Sequence, residues 1–273
     1  MAIREVKTTS NATRQMTVLK FELDKESANK SLKFGKRRIS GRGNKGRISV
    51  RNRGGGNKRS YRVVDSSRLS FLGRKGKVDG INYDPNRSAN IALIHYGDKD
   101  WSYIIAPEGL KAGGEVICDQ KTPIRVGNRM KLENIPASTL VYNVELTELA
   151  GGQIVKSAGA NATLLGIDGK FAQLKLASGE VRKVPKSCYA SVGTVSNSDH
   201  SNVVIGKAGR KRLMGRRPHV RGKAKNPCDH PHGGGEGANS IGLTHPKTPW
   251  GMPALGRKTR NKKKKSTKLI ISK

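Results

Sequence analysis

Residues 229–237 read DHPHGGGEG, two histidines, two acids and four glycines in nine positions. Three chemistries use such residue types. A catalytic centre would set a histidine base beside a nucleophile and orient it with a third group. A zinc site would draw on Cys228, His230 and His232, with His219 or His245 completing the set. A binding segment would use Pro227 and Pro231 for rigidity and the glycines for adaptability, with histidines that stack on bases or hydrogen-bond to sugar and phosphate. Spacing weighs against the first two. Structural zinc asks for two ligand pairs, each separated by about two to four residues. Here His230 and His232 bracket a proline and no second well-spaced pair exists. A dry catalytic pocket also needs a core around it, and the flanking sequence is rich in Gly and Lys. No catalytic residue and no metal ligand is assigned.

The charge of the chain supports the binding reading. With 54 Lys and Arg against 20 Asp and Glu, the 273 residues carry a formal net charge of +34. A compact surface with that excess repels itself unless a polyanion neutralises it, and nucleic acid is the commonest one in a cell. The excess sits at the two ends. Residues 1–60 hold 17 basic and 4 acidic side chains, residues 61–200 hold 18 and 14, and residues 201–273 hold 19 and 2. From Ser27 to Val64 there is no acid at all. No apolar run long enough to span a bilayer occurs, and no basic amphipathic helix suits a membrane surface. The N-terminus lacks the apolar stretch of a secretory signal. Three widely spaced cysteines, Cys118, Cys188 and Cys228, argue against a disulfide framework and fit a reducing compartment.

The elements that must position these residues are strands. Between residues 61 and 200, short apolar runs such as GKVDGINYD, ANIALIHYG, WSYIIAP, NATLLGID and FAQLKLASG recur between Gly, Asp and Pro turn signals. Regular short strands of this kind indicate small β-barrels or sandwiches. The length suits two, divided near TPIRVGNRMKLENIPAS. The expected domains are a basic extension over 1–60, a first barrel over 61–125, a second over 126–200 and a Gly- and Pro-rich basic extension over 201–273. The extensions bury too little apolar surface to fold alone in water. One short helix is expected around GKAGRKRLMG.

Within this frame the basic residues fall into groups. GRGNKG at 41–46 has the letters of a dinucleotide loop but neither the strand before it nor the helix after it. Its glycines instead let backbone approach a phosphate that Arg42, Lys45 and Arg47 neutralise, with Arg51, Arg53, Lys58 and Arg59 following. Arg87 sits in the turn YDPNR, placed either to pair with Asp84 or to grip nucleic acid at a barrel rim. Lys156, in AGGQIVKSAG, offers a point charge among small residues. Lys207, Arg210, Arg216, Arg217 and Arg221 lead up to His230 and His232. Trp250 is expected to pack rather than to stack on a base.

The ordered set GRGNKGRISVRNRGGGNKRSYRVVD, YDPNRSANIAL, YIIAPEGLKAG, GGQIVKSAG, SGEVRKV, GKAGRKR, RPHVRGKAKNPCDHPHGGGEG and TPWG closely resembles the ribosomal protein L2 family of the large subunit, in its bacterial and organellar form. The likeness runs from about residue 40 to the C-terminus. It implies a mainly β fold, an OB-like barrel followed by an SH3-like barrel, with both extensions threaded into ribosomal RNA and lacking a core of their own. It implies a non-enzymatic structural role that supports the peptidyl-transferase region and subunit association. The partners implied are large-subunit (23S-type) rRNA, neighbouring ribosomal proteins and the small subunit across the intersubunit face, with one copy per ribosome, no homo-oligomer and no membrane. The location implied is the ribosome of a bacterial cytoplasm or an organelle matrix. No cofactor is implied beyond magnesium carried by the rRNA. In the family the arginine matching Arg87 binds RNA and the histidine matching His230 is needed for full ribosome activity. The chain departs from the pattern at Lys156, usually arginine, at Leu213, commonly tryptophan, and at His219 and Cys228, usually small or apolar. A β-barrel assembly factor and a metallohydrolase centred on Cys228, His230 and His232 are the competing readings.

Overall fold

Between Lys75 and Asn82 alternate residues turn inward, Gly76 and Val78 among them, as the period of a half-buried strand requires. The next strand, Ile91–His95, is apolar almost throughout and buried on both faces. These two set the first barrel. The computed structural model describes residues 3–20, 23, 29–97, 100–237 and 239–272; Ser27 and Ala28, the start of the acid-free run, lie outside them.

The described chain falls into two compact units, one of residues 1–37, 58–210 and 265–273, the other of residues 38–57 and 211–264. The first is the barrel unit. It opens with two short antiparallel pairs, β1 (Ile3–Glu5) with β2 (Thr17–Leu19) and β3 (Lys33–Gly35) with β4 (Ser60–Arg62). Strands β5 (Lys75–Asn82), β6 (Ile91–His95), β7 (Trp101–Ile105) and β8 (Glu115–Ile117) follow as an antiparallel sheet in the order β7-β6-β5-β8. A register shift between Val78 and Gly80 bends β5. The second sheet holds β9 (Arg129–Lys131), β10 (Leu140–Tyr142), β11 (Ala162–Asp168), β12 (Phe171–Leu176), β13 (Val181–Pro185), β14 (Tyr189–Val192) and β15 (Ile270–Ser272), in the order β15-β13-β12-β11-β10-β14-β9. The fold is mainly β, with sheets that fit an OB-like and an SH3-like barrel.

Each barrel has its own core. Val78, Ala92, Ile94, Ile104 and Val116 fill the first, where the Phe71 and Tyr96 rings stack with centroids 4.1 Å apart. Met130, Leu132, Val141, Leu164, Leu174 and Val184 fill the second. A third cluster of Ala89, Ile105, Tyr142 and Val195 takes residues from both and joins them. Among the described residues all buried apolar side chains belong to the barrel unit, so the remaining basic segments have no core of their own.

Two buried arginines fasten the barrels together. Asp65 Oδ1 accepts the Ser67 and Arg68 backbone N–H groups, a turn that sends Arg68 inward to donate Nη1 to Gly127 O at 2.7 Å. Arg129 reaches back from β9, donating Nε to Ser67 O and Nη1 to Asn143 O, while Nη2 pairs with Glu145 Oε1 at 2.8 Å. Neither Arg129 nor Glu145 is exposed to solvent. Burial draws the Arg129 guanidinium below its ordinary range against the opposing pull of Glu145. The stretch expected to divide the barrels therefore contains a strand and their main polar fastening.

Two other buried groups make the unit sensitive to alkali. Burial pushes the Cys188 thiol and the Tyr142 phenol each up to about 12. In the unfolded chain these protons leave near the ordinary 9.0 and 10.0. The folded state thus holds more protons in this window, and stability falls as pH rises through it. Denaturant midpoints are expected to be flat below about pH 8.5 and to decline towards pH 12, with Cys188→Ala removing its share of the slope.

Candidate nucleic-acid interface

One group of predicted cations gathers at the rim of the barrel unit. Asp84 is fully buried and accepts Arg87 Nε at 2.7 Å, with Arg62 Nη1 3.8 Å away. Asn86 donates its backbone N–H to the same carboxylate and its side-chain amide to Ser60 O. Arg59 donates to Pro85 O. The reading of Arg87 as a turn arginine paired with Asp84 is therefore correct as far as Nε goes. The Arg87 side chain keeps 22% exposure. Lys156 arrives from the second barrel. Burial, and then the positive charge of Arg87, draws its ammonium below the ordinary lysine range. Ser88 Oγ accepts the Ala158 N–H at 3.1 Å, so the segments that carry these two cations, distant in sequence, adjoin.

The glycines of AGGQIVKSAG are used within the fold. Gly152 N–H bonds to Ser66 O at 3.0 Å, and a methyl group on Gly152 would fall on Asn143. Close approach here is of one barrel to the other. Gly152 O then accepts Lys156 Nζ at 2.8 Å, which orients the lysine. Arg210 is likewise spoken for, donating to Thr17 O, while Lys207 and Lys58 are exposed.

The other predicted cations lie in the second unit. GRGNKG forms a tight reversal: Gly43 N–H bonds to Arg47 O, and Ser49 and Val50 N–H both bond to Gly41 O. This is not a dinucleotide loop. It points Arg42, Lys45 and Arg47 into solvent. Residues 52–57 then run antiparallel to 213–217, with Arg53 bridging Arg216, Gly54 N–H bonding to Gly215 O and Arg217 N–H to Asn52 O. Gly56, at φ +91, lies so close to Leu213 O that no side chain fits there. Arg53, Arg216, Arg217 and Arg221 are exposed. The Arg51 guanidinium lies 5.2 Å from the Trp250 ring centre, and Trp250 is 75% exposed. The tryptophan is thus not packed into a small core, because this unit builds none; an arginine covers one face of it.

DHPHGGGEG is held by its own backbone. His230 N–H bonds to Asn226 O, Gly233 N–H to His230 O and Gly234 N–H to Lys225 O. The buried His230 ring lies against Gly222, where any side chain would strike it. His230 Nδ1 accepts the His232 N–H at 3.0 Å, and His232 Nε2 accepts the Lys247 N–H at 2.8 Å. Each ring has therefore given its acceptor nitrogen to the backbone and keeps a single N–H to offer. Burial, then His232, Lys225 and Arg51, lowers the His230 pKa, which favours the neutral ring. A neutral imidazole whose free nitrogen carries the proton is a donor, not a base. Cys228 is exposed. Among the described residues no three of His, Cys, Asp and Glu are gathered to hold a metal ion.

Two family descriptions match this chain. "Ribosomal Proteins L2, RNA binding N-terminal domain" matches residues 29–118, and "Ribosomal Proteins L2, C-terminal domain" matches residues 125–251. The chain belongs to the ribosomal protein L2 family. It is a structural, RNA-binding protein of the large ribosomal subunit. The L2 match takes in the Arg87 turn, Lys156 and the whole of DHPHGGGEG. It also spans segments of both compact units, so the L2 domains do not coincide with them. Among the described residues no helix is long and apolar enough to cross a membrane.

The fastening residues Arg68 and Arg129 escaped sequence reasoning. In a chain with 54 basic side chains two more arginines carry no mark of burial. The only local signal was Asp65-Ser66-Ser67, a side-chain-capped turn just before Arg68.

Proposed function

We propose that the chain is anchored by large-subunit rRNA at two places, the Arg87–Lys156 rim and the glycine-rich unit of residues 38–57 and 211–264. The observation that carries this reading is electrostatic. That unit holds 20 basic side chains against two acids, Asp229 and Glu236, and builds no apolar core. Two carboxylates leave most of that charge to be met by a polyanion, and a phosphate backbone supplies it with release of counterions. The barrels, folded on their own cores, recognise shape and fix position. In this reading DHPHGGGEG presents the His230 and His232 N–H donors to RNA, and the protein supports the peptidyl-transferase region and subunit association while the RNA does the chemistry. Magnesium, where present, comes with the rRNA.

Sedimentation of a lysate through a sucrose gradient at high salt tests the anchoring. Co-migration with large subunits is expected; release to the top of the gradient would give precedence to a loosely held assembly factor. His230→Ala is expected to weaken retention while leaving the unfolding midpoint of the barrels unchanged. Gly222→Val, which keeps the imidazole but displaces it, should do the same. Normal subunits from both variants, with normal peptide synthesis, would discard the role of this loop.

A further inference from the structure

Beside Lys156 a recess of about 230 Å³ opens on the surface of the second barrel. It is lined by apolar Ile154, Val155 and Leu176 and by polar Lys156, Asn161 and Ser178. It is smaller than the pockets that take drug-sized ligands, about 300–1,000 Å³, and has room for one flat ring system.

The backbone beneath it is strained. Val155 has φ +56, a left-handed conformation that a β-branched residue rarely adopts. The surrounding pairing holds it there: Asn143 N–H bonds to Val155 O at 2.8 Å, and Ile154 pairs with Val144. Strain of this kind persists where the neighbouring structure over-determines it and tends to collect at ligand sites. Here it joins an apolar lining to a cation, since the residue after Val155 is Lys156. The lysine is tied by Gly152 O, and its charge is set against that of Arg87 with no carboxylate among the causes of its shift. Lys156 lines the apolar recess, and the Arg87 turn lies alongside its loop, where Ser88 Oγ accepts the Ala158 N–H at 3.1 Å. A cation beside an apolar recess calls for one group with an anionic end and a flat apolar body.

We propose that this recess receives a single unstacked base of the bound RNA, whose phosphate lies between Lys156 and Arg87. The inference rests on the rRNA-binding reading and adds to it a place where one nucleotide leaves its stack. The phosphate neutralises Lys156, for which no carboxylate is among the causes of its shift, beside an Arg87 already paired through Nε with Asp84. The base covers Val155 and Leu176 and offers its polar edge to Asn161 and Ser178. Apolar contact with a base face tolerates any of the four bases, so the rim residues would set any preference.

The test uses the full chain, transcribed large-subunit rRNA and two variants that fill the recess without changing charge, Ala177→Phe and Ala160→Leu, both residues lining it. Unchanged circular dichroism and thermal unfolding establish that each variant is folded. Filling is expected to weaken rRNA binding about ten-fold, as loss of one stacked base does, with the salt dependence unaltered. Dimethyl sulfate probing should show one nucleotide protected by the wild-type chain and exposed with either variant. Lys156→Gln, by contrast, is expected to flatten the salt dependence. If the folded variants bind with wild-type affinity and the same protection pattern, the recess holds no base and the proposal is overturned. If they bind bare rRNA normally yet drop out of assembled subunits, the occupant is a neighbouring protein, and the proposal is equally lost. Failure of the wild-type chain itself to bind rRNA would strike the underlying reading instead.

Discussion

Arg129→Met is expected to destabilise the barrel unit by about 3–5 kcal/mol, the usual cost of removing one partner from a buried ion pair. The substitution leaves the Glu145 carboxylate without solvent and with the Tyr189 N–H at 3.1 Å. It also takes the donors from Ser67 O and Asn143 O, which lie in different barrels. Replacing both charged partners with methionine should recover part of the loss, because a buried pair often does no better than apolar side chains of similar volume. Recovery stays incomplete while those two carbonyls lack donors. Denaturant unfolding of the single and double variants measures both quantities. A single variant that unfolds at the wild-type midpoint would show that the apolar joint of Ala89, Ile105, Tyr142 and Val195 suffices without the arginine.

The second large effect is on RNA affinity. Changing Arg42, Lys45, Arg47, Arg51 and Arg53 together to glutamine is expected to flatten the log–log salt dependence of rRNA binding. The slope should fall by about 0.9 for each duplex phosphate that is no longer neutralised, so by about 4.5 if all five side chains contribute. At moderate salt that corresponds to a drop of several orders of magnitude in affinity. The barrels should be untouched, since all five side chains belong to the unit without an apolar core. Titrations at several salt concentrations give the slope directly. An unchanged slope would mean that these charges are only solvated.

What the sequence disclosed, and what it hid, divides along a physical line. The alternation in GKVDGINYD and the apolar run in ANIALIHYG gave β5 and β6 nearly to the residue, because each strand's burial is written in its own period. The short helix expected around GKAGRKRLMG is present at Ala208–Leu213. GQIVKSAG, apolar enough to suggest a strand, makes only an isolated bridge at Ile154, where Gly152 lies against Ser66 and Asn143. Strand β15 was invisible inside a lysine-rich tail: three residues pairing with β13 leave no pattern of their own. The alignment of 52–57 with 213–217 is made by backbone groups, which every residue type supplies. At the candidate interface, residue type identified the cations. Only the fold could reveal that Arg87 and Lys156 are neighbours, or that both histidines have already given away their acceptor nitrogens.

That backbone alignment also sets a timetable. Residues 52–57 leave the ribosome that makes them more than 150 positions ahead of the partners at 213–217. At about 5–20 residues per second the wait is on the order of 8–30 seconds. During it residues 52–57 lack their backbone partners at 213–217, although both barrel cores complete within the interval. The glycine-rich unit thus closes after both barrel cores, and its N-terminal half can meet a polyanion before its C-terminal half exists. RNA that engages residues 38–57 early would act as the template on which the C-terminal half is laid down, so that order of synthesis becomes order of assembly.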